Sequence, residues 1–171
     1  MPTETPPPAR RPRELRTKVI TVPGNLQQAC HEFNTHRFFE CHETLEEIWQ
    51  EEQSEVRDLY KGLIQVAAGF VHVTRGNYIG ANRLFTTALG YLTPYRAEGA
   101  LGFDVDRICR ETERAHAALL ADGPANVTFD PALVPVFACE IALLPAEATR
   151  WRAWGFDREG NERPMEITVP D

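Results

Sequence analysis

The sequence lacks a hydrophobic run long enough to cross a membrane. Its longest strongly apolar stretch, residues 62–73, is interrupted by Gln65 and His72 and is far shorter than the roughly 20 apolar residues that a span requires. The N-terminal residues are rich in proline and arginine and contain no apolar segment of signal-peptide length. We therefore expect neither a membrane partner nor secretion.

Cysteine is scarce, and no two cysteines form a Cys-x-x-Cys pair. The chain has four of them: Cys30, Cys41, Cys109 and Cys139. Because we expect no signal peptide, we expect these cysteines to be reduced thiols, since disulfides persist mainly in secreted proteins. The sequence therefore predicts a cytoplasmic protein without a disulfide framework.

Positive charge is in short supply as well. The chain has 18 Lys and Arg against 25 Asp and Glu, which gives a formal net charge of -7. Nucleic-acid-binding proteins usually present a basic domain or stripe. The arginines between positions 10 and 16 lie in a proline-rich segment that is more typical of a solvated tail than of a nucleic-acid-binding arm. We therefore expect no nucleic-acid partner.

What the chain does have is ordinary globular composition. Its length of 171 residues and its 43% apolar residues are enough for one compact domain that buries about 70% of its unfolded surface. We predict a disordered leader over 1–17, a bundle domain over 18–125 and an irregular extension packed on the bundle over 126–171. The extension has one weak strand candidate, 164–169, and three aromatic candidate anchors: Trp151, Trp154 and Phe156.

Apolar residues recur at intervals of three and four through most of the chain, which is typical of amphipathic helices. The pattern predicts an all-α fold, a compact antiparallel bundle of about five main helices with an irregular C-terminal tail. The helices are expected at about 25–36, 39–53, 54–74, 77–93 and 104–121. A residue suited to capping begins four of these helices: Asn25, Ser54, Asn77 and Asp104.

The second predicted helix has a histidine and a glutamate four residues apart. His42 and Glu46 lie about 40° apart around such a helix, whereas Glu40 and Glu43 lie on its far side. This spacing suits a shared metal ion, or a carboxylate that orients an imidazole for general base catalysis. The His-Glu-x-x-His motif of zinc proteases is absent, because Leu45 occupies the place of the second histidine.

The third predicted helix is apolar almost all round, yet Gln65 and His72 share one stripe, with Ala68 between them. If these polar groups are buried they need partners, and His42 and Glu46 are the obvious ones. The sequence therefore predicts a cluster of two imidazoles, a carboxylate and an amide at adjacent helices. The alternative is that Gln65 and His72 simply face water.

Other chemistries find little support. No Gly-x-Ser-x-Gly elbow occurs, and Cys41 and His42 point about 100° apart because they are neighbours on one helix. The start of the fourth helix, with Arg75 and Arg83 nearby, could hold an anion. That segment lacks the Gly-Lys-Ser/Thr sequence of a phosphate loop, so a plain helix stop at Gly76 is favoured.

Two strings, taken in order, carry a resemblance to a known family. They read Phe33-Asn34-x-x-x-Phe38-Phe39-Glu40-x-His42-Glu43-x-Leu45-Glu46-x-x-Trp49 and Tyr60-x-Gly62-Leu63-Ile64-Gln65-x-Ala67-Ala68-x-x-x-His72-x-x-Arg75-Gly76-Asn77-x-x-Gly80-Ala81-x-x-Leu84. Over about residues 26–95 the chain resembles the small bacterial and archaeal family catalogued as domain of unknown function 309. The resemblance implies a compact antiparallel helical bundle and no established activity. It also implies that the polar cluster residues are signature positions: Glu40, His42, Glu43, Glu46, Gln65 and His72.

Three functional hypotheses remain open. In the first, a divalent metal ion held by His42, Glu46 and His72, with Gln65 beside it and Glu40 or Glu43 reaching in, activates water to hydrolyse a small substrate. In the second, the protein is a non-catalytic scaffold that self-associates, and the same residues form a structural polar network. In the third, it binds a small molecule without turnover. Substrate, metal and subunit number are left open.

Overall fold

The computed structural model describes residues 25–53 and 56–139 in full, together with the backbone of two strands, β1 (Leu15–Thr21) and β2 (Pro164–Pro170). Residues 25–53 and 56–139 form an all-α bundle, which confirms the predicted fold class. Its five helices are α1 (Leu26–Asn34), α2 (Phe38–Glu51), α3 (Arg57–Thr74), α4 (Tyr78–Leu92) and α5 (Val105–Asp122). No helix in this described part is sufficiently long and apolar to cross a membrane.

Two of the predicted helix caps are confirmed and one is wrong. The backbone amides of Gly80 and Arg107 donate to the Oδ1 atoms of Asn77 and Asp104, each over 3.0 Å. Asn25 precedes α1 with φ -81° and ψ 0° and makes no capping hydrogen bond, because a capping side chain requires extended rather than near-helical backbone. Ser54 lies outside the described residues.

Helix α3 is the centre of the bundle. It packs between α2 and α4, while α1 packs on α2 and α5 on α4. Two glycines of α3 allow α4 to approach closely, because a Cβ added at Gly62 or Gly69 would stand about 2.5–2.6 Å from the side chain of Leu92 or Phe85. Helices α3 and α4 therefore approach each other at positions where α3 has no side chain.

The connection between α2 and α3 is closed by one arginine. The Arg57 guanidinium donates to the carbonyl oxygens of Trp49 (2.9 Å) and Glu52 (2.7 Å), which lie at the end of α2. It also lies 4.1 Å from the centroid of the Trp49 ring, a favourable cation–π geometry. Phe38 and Phe70 meet near the other end of the two helices with ring centroids 5.2 Å apart, so α2 and α3 run antiparallel.

The segment that follows α5 returns to the first helix. Phe137 is buried and stacks on Phe33, with ring centroids 3.6 Å apart. The side-chain amide of Asn34 donates to the Phe137 carbonyl and accepts from the Phe137 amide, both over 2.8 Å. Residues 134–139 are thereby held against α1. The predicted anchors farther along lie outside the described residues: Trp151, Trp154 and Phe156.

The strands β1 and β2 pair antiparallel, with Leu15 opposite Pro170 and Thr21 opposite Pro164. The weak strand candidate at 164–169 is thus confirmed. Strand β1 begins at Leu15, inside the segment predicted to be a disordered leader, where Thr17, Val19 and Ile20 favour extended backbone because they are β-branched.

Candidate functional site

Helix α2 presents the predicted histidine and glutamate together. The Nε2 atom of His42 lies 3.6 Å from the Oε2 atom of Glu46, and the imidazole stacks on the exposed ring of Phe39, with centroids 6.1 Å apart. The other ring nitrogen of His42, Nδ1, is buried and has no hydrogen-bond partner among the described residues. One side of this imidazole therefore faces a carboxylate, while the other side is unsatisfied.

Gln65 on α3 carries a second unsatisfied atom. Its side chain is half-buried, and its Oε1 atom is buried without a hydrogen-bond partner within the described part of the chain. The Oε1 atom of Gln65 therefore does not face water. Burying a polar atom without a hydrogen-bond partner costs about 1–3 kcal/mol, so Gln65 Oε1 and His42 Nδ1 are two uncompensated polar atoms among the described residues.

His72 is fixed by Asn77, the N-cap of α4. Because the Gly80 amide donates to Asn77 Oδ1, the Nδ2 of Asn77 must be the atom that lies 3.0 Å from His72 Nδ1. An amide nitrogen is a donor only, so His72 Nδ1 accepts. In the neutral imidazole the proton is then on Nε2, and His72 presents an N–H donor rather than a lone pair.

The surroundings of His72 favour its neutral form. Burial lowers the pKa of His72 below its ordinary value of 6.5, and the positive charges of Arg75 and Arg83 lower the pKa further. With Nδ1 accepting from Asn77, a metal ion could bind His72 only after the proton left Nε2 or the Asn77 bond broke. The geometry therefore makes His72 a poor ligand as it stands.

The predicted cluster is divided in the structure. No hydrogen bond, ion pair or ring contact within the described residues joins His42 or Glu46 to Gln65 or His72. The part of the chain that the structure describes contains no group of three His, Cys, Asp or Glu side chains that could hold a metal ion. Glu40 and Glu43 are exposed, as expected for the far side of α2. The catalytic and ligand roles of all six residues stay predictions.

Sequence reasoning missed one buried carboxylate. Glu32 on α1 is 4% exposed, and its Oε1 atom accepts a hydrogen bond of 2.7 Å from the Thr44 hydroxyl on α2. The signal was present but faint, because Glu32 lies between Ala29 and Phe33, which belong to the buried side of α1.

Helices α2, α3 and α4 pack side by side in this order, and we give the name α2–α4 face to one set of their side chains. The set comprises Phe39, His42 and Glu46 on α2, Gln65, Ala68 and His72 on α3, and Ile79 and Arg83 on α4. Phe39 is 48% and Ile79 79% exposed. On this face α2 contributes the carboxylate of Glu46, whereas Arg83 is the single charged residue of α4.

These features define an all-α helical bundle protein with a His–Glu pair on its second helix. Residues 26–84 match the family model described as Domain of unknown function (DUF309), which confirms the resemblance over that region. The chain is also 41% identical over 76 residues to "Uncharacterized protein YpuF" of Bacillus subtilis (strain 168); the match covers 43% of this chain and 44% of that protein. The chain therefore spans less than half of that relative. No solved structure matches.

Proposed function

We propose that this protein is a non-catalytic interaction protein that self-associates through the α2–α4 face. The observation that carries the proposal is the separation of charge across that face. Glu46 carries negative charge on α2, where its side chain is 40% exposed, whereas the charges at the opposite edge are those of Arg75 and Arg83. A two-fold axis parallel to α3 sets α2 of each copy over α4 of the other, so that glutamates meet arginines twice.

The exposed apolar side chains of the face also support a second copy as the partner. Phe39 and Ile79 are exposed apolar side chains at its two edges, and burying a side chain of this size contributes about 1.5–3 kcal/mol. Apolar area on a surface of this kind favours contact with another protein molecule. The face thus offers apolar area together with complementary charge.

A charge-swap series tests the proposal. We expect sedimentation of the full chain at micromolar concentration to show a dimer. Arg83→Glu and Glu46→Arg should each shift the protein toward monomer, because each places like charges opposite one another. The two changes combined should restore the dimer, since they reverse both signs together.

Arg110→Glu is the matched control, because Arg110 is an equally exposed arginine on α5, paired with Asp106 rather than lying on the face. It should leave the association unchanged. A monomer for the unmodified chain, or single variants that dimerise as well as the control, would contradict the proposal.

Metal-assisted hydrolysis is the second candidate, and one distance favours it. The 3.6 Å between His42 Nε2 and Glu46 Oε2 is close to the ligand–ligand separation of a tetrahedral ion with bonds of about 2.1 Å. In this proposal the metal would polarise a water molecule for attack on a small substrate. His72, as an Nε2–H donor, would bind the substrate rather than the metal.

Elemental analysis of protein purified without chelator tests this candidate. We expect about one divalent ion per chain, lost in both His42→Ala and Glu46→Gln but retained in His116→Ala. A metal content at background level in the unmodified protein would remove the candidate.

The expected cellular setting also remains a proposal. Cys30, Cys41 and Cys109 are buried free thiols, and burial raises the pKa of Cys30 to about 12. Unreactive buried thiols of this kind suit a reducing cytoplasm. We likewise retain the expectation that nucleic acid is not a partner, which the net charge of -7 supports.

A further inference from the structure

A cavity of about 310 Å³ is bounded by α3, α4, α5 and residues 128–133, and no residue of the α2–α4 face lines it. Most of the residues that line it are apolar, among them Phe70, Val73, Phe85, Leu119, Phe129 and Leu133. Its volume is at the low end for a small-molecule site, which is typically concave and lined by apolar residues with a few polar groups.

The charged side chains that line the cavity are all negative. Asp122 and Asp130 contribute two carboxylates, and Thr128 contributes a hydroxyl. Asp122 is also the last residue of α5, where the helix dipole adds partial negative charge rather than compensating it. The potential inside the cavity mouth is therefore negative.

No cation of the chain occupies this mouth in the described residues. Neither lysine nor arginine lines the cavity. Arg114 is near by, but its guanidinium donates to the carbonyl oxygen of Ala132 over 2.6 Å. Asp130 uses one carboxylate oxygen to accept from the Ala132 amide, and Asp122 makes no ion pair within the described region.

We propose that this cavity binds a small apolar molecule that carries one protonated amine. The apolar body packs against Phe70 and Phe85, and the ammonium group lies at the mouth, where the Asp122 carboxylate accepts its hydrogen bond. A neutral molecule of the same shape gains only the apolar contact, and an anion is repelled. This site is separate from the α2–α4 face, and the proposal does not depend on self-association.

Three probes with one carbon skeleton test the charge requirement. Phenethylammonium, 2-phenylethanol and phenylacetate are titrated into the full chain by calorimetry at neutral pH. We expect phenethylammonium to bind at least about tenfold more tightly than 2-phenylethanol, since a charge-assisted hydrogen bond contributes that much. Phenylacetate should not bind.

Three variants locate the site. Asp122→Asn should reduce the preference for the ammonium probe to near that for the alcohol, whereas Asp58→Asn, an exposed aspartate at the start of α3, should leave it unchanged. Ala118→Leu, which fills the cavity, should abolish binding of both probes while circular dichroism shows an intact fold. Equal affinity for the ammonium and the alcohol, or an Asp122→Asn variant that behaves like Asp58→Asn, overturns the proposal.

Discussion

Asn77 makes two hydrogen bonds that together decide which nitrogen of His72 carries the proton. One bond, from the Gly80 amide, fixes the orientation of the side-chain amide, and the other, to His72 Nδ1, follows from it. The cap of one helix thereby controls the chemistry of a histidine in the preceding helix. A single residue thus links the local structure of α4 to the α2–α4 face.

The lowered pKa of His72 makes the stability of the protein depend on pH. The unfolded chain, with a histidine pKa near 6.5, binds a proton more readily than the folded chain does. Stability is therefore fully present above about pH 6.5 and is lost as the pH falls through the lower folded pKa. We expect urea unfolding to show a smaller decrease between pH 7.5 and 5.5 for His72→Gln than for the unmodified protein.

His116, whose pKa is also lowered by burial, is present in both proteins, so the difference between them isolates His72. An equal pH dependence of the two would show that His72 titrates alike in the folded and unfolded chain.

The capping role of Asn77 could be predicted from its place after Gly76. Its bond to His72 could not, because that contact depends on how α3 and α4 pack.

At the scale of elements, Gly69 in α3 and Gly90 in α4 should respond in opposite ways to substitution by alanine. An alanine Cβ at Gly69 would stand 2.6 Å from the Phe85 ring, whereas one at Gly90 would meet nothing within 4 Å. Gly69→Ala should lower the free energy of unfolding by about 1–3 kcal/mol through overpacking. Gly90→Ala should raise it by about 0.5–1 kcal/mol, because alanine loses less entropy in a helix.

Chemical denaturation of the two variants measures both changes. They are the same substitution in neighbouring helices, so each is the control for the other. If Gly69→Ala proved as stable as Gly90→Ala, then α3 and α4 would not be in the close contact that the fold requires.

The helices themselves were largely predictable because their apolar spacing is regular. Helix α3 was predicted to reach Thr74 and α4 to stop before Pro94, and both ends agree with the structure. The start of α1 was harder, because an Asn before an amphipathic run resembles a cap whether or not its backbone permits capping. The lack of a contact between His42 and His72 among the described residues was not predictable, because the rotation of one helix against another depends on packing contacts that sequence spacing does not show.

At the scale of the whole molecule, Phe137 makes the residues after α5 part of the bundle. The ring is 1% exposed, so Phe137→Ala should lower the free energy of unfolding by about 3–5 kcal/mol. Tryptophan fluorescence and circular dichroism should still give one shared transition, as expected for a single cooperative unit.

Val136→Ala is the control, because Val136 is exposed, and it should change stability by less than about 0.5 kcal/mol. A negligible effect of Phe137→Ala would mean that the segment contacts the bundle without contributing to its stability.

From the sequence, an extension that packs on the bundle could be expected from its aromatic residues. The identity of the anchor could not, since Phe137 is a lone aromatic among prolines and small residues.

The clasp between Asn34 and Phe137 joins positions 103 apart in the chain. During synthesis the segment that contains α1 leaves the ribosome first, whereas its aromatic neighbour emerges only after all five helices have been made. Until then the Phe33 ring lacks its stacking partner and the Asn34 amide lacks both of its backbone contacts. Helix α1, which is translated before the other four helices of the bundle, is therefore among the last of the five to gain all of its contacts.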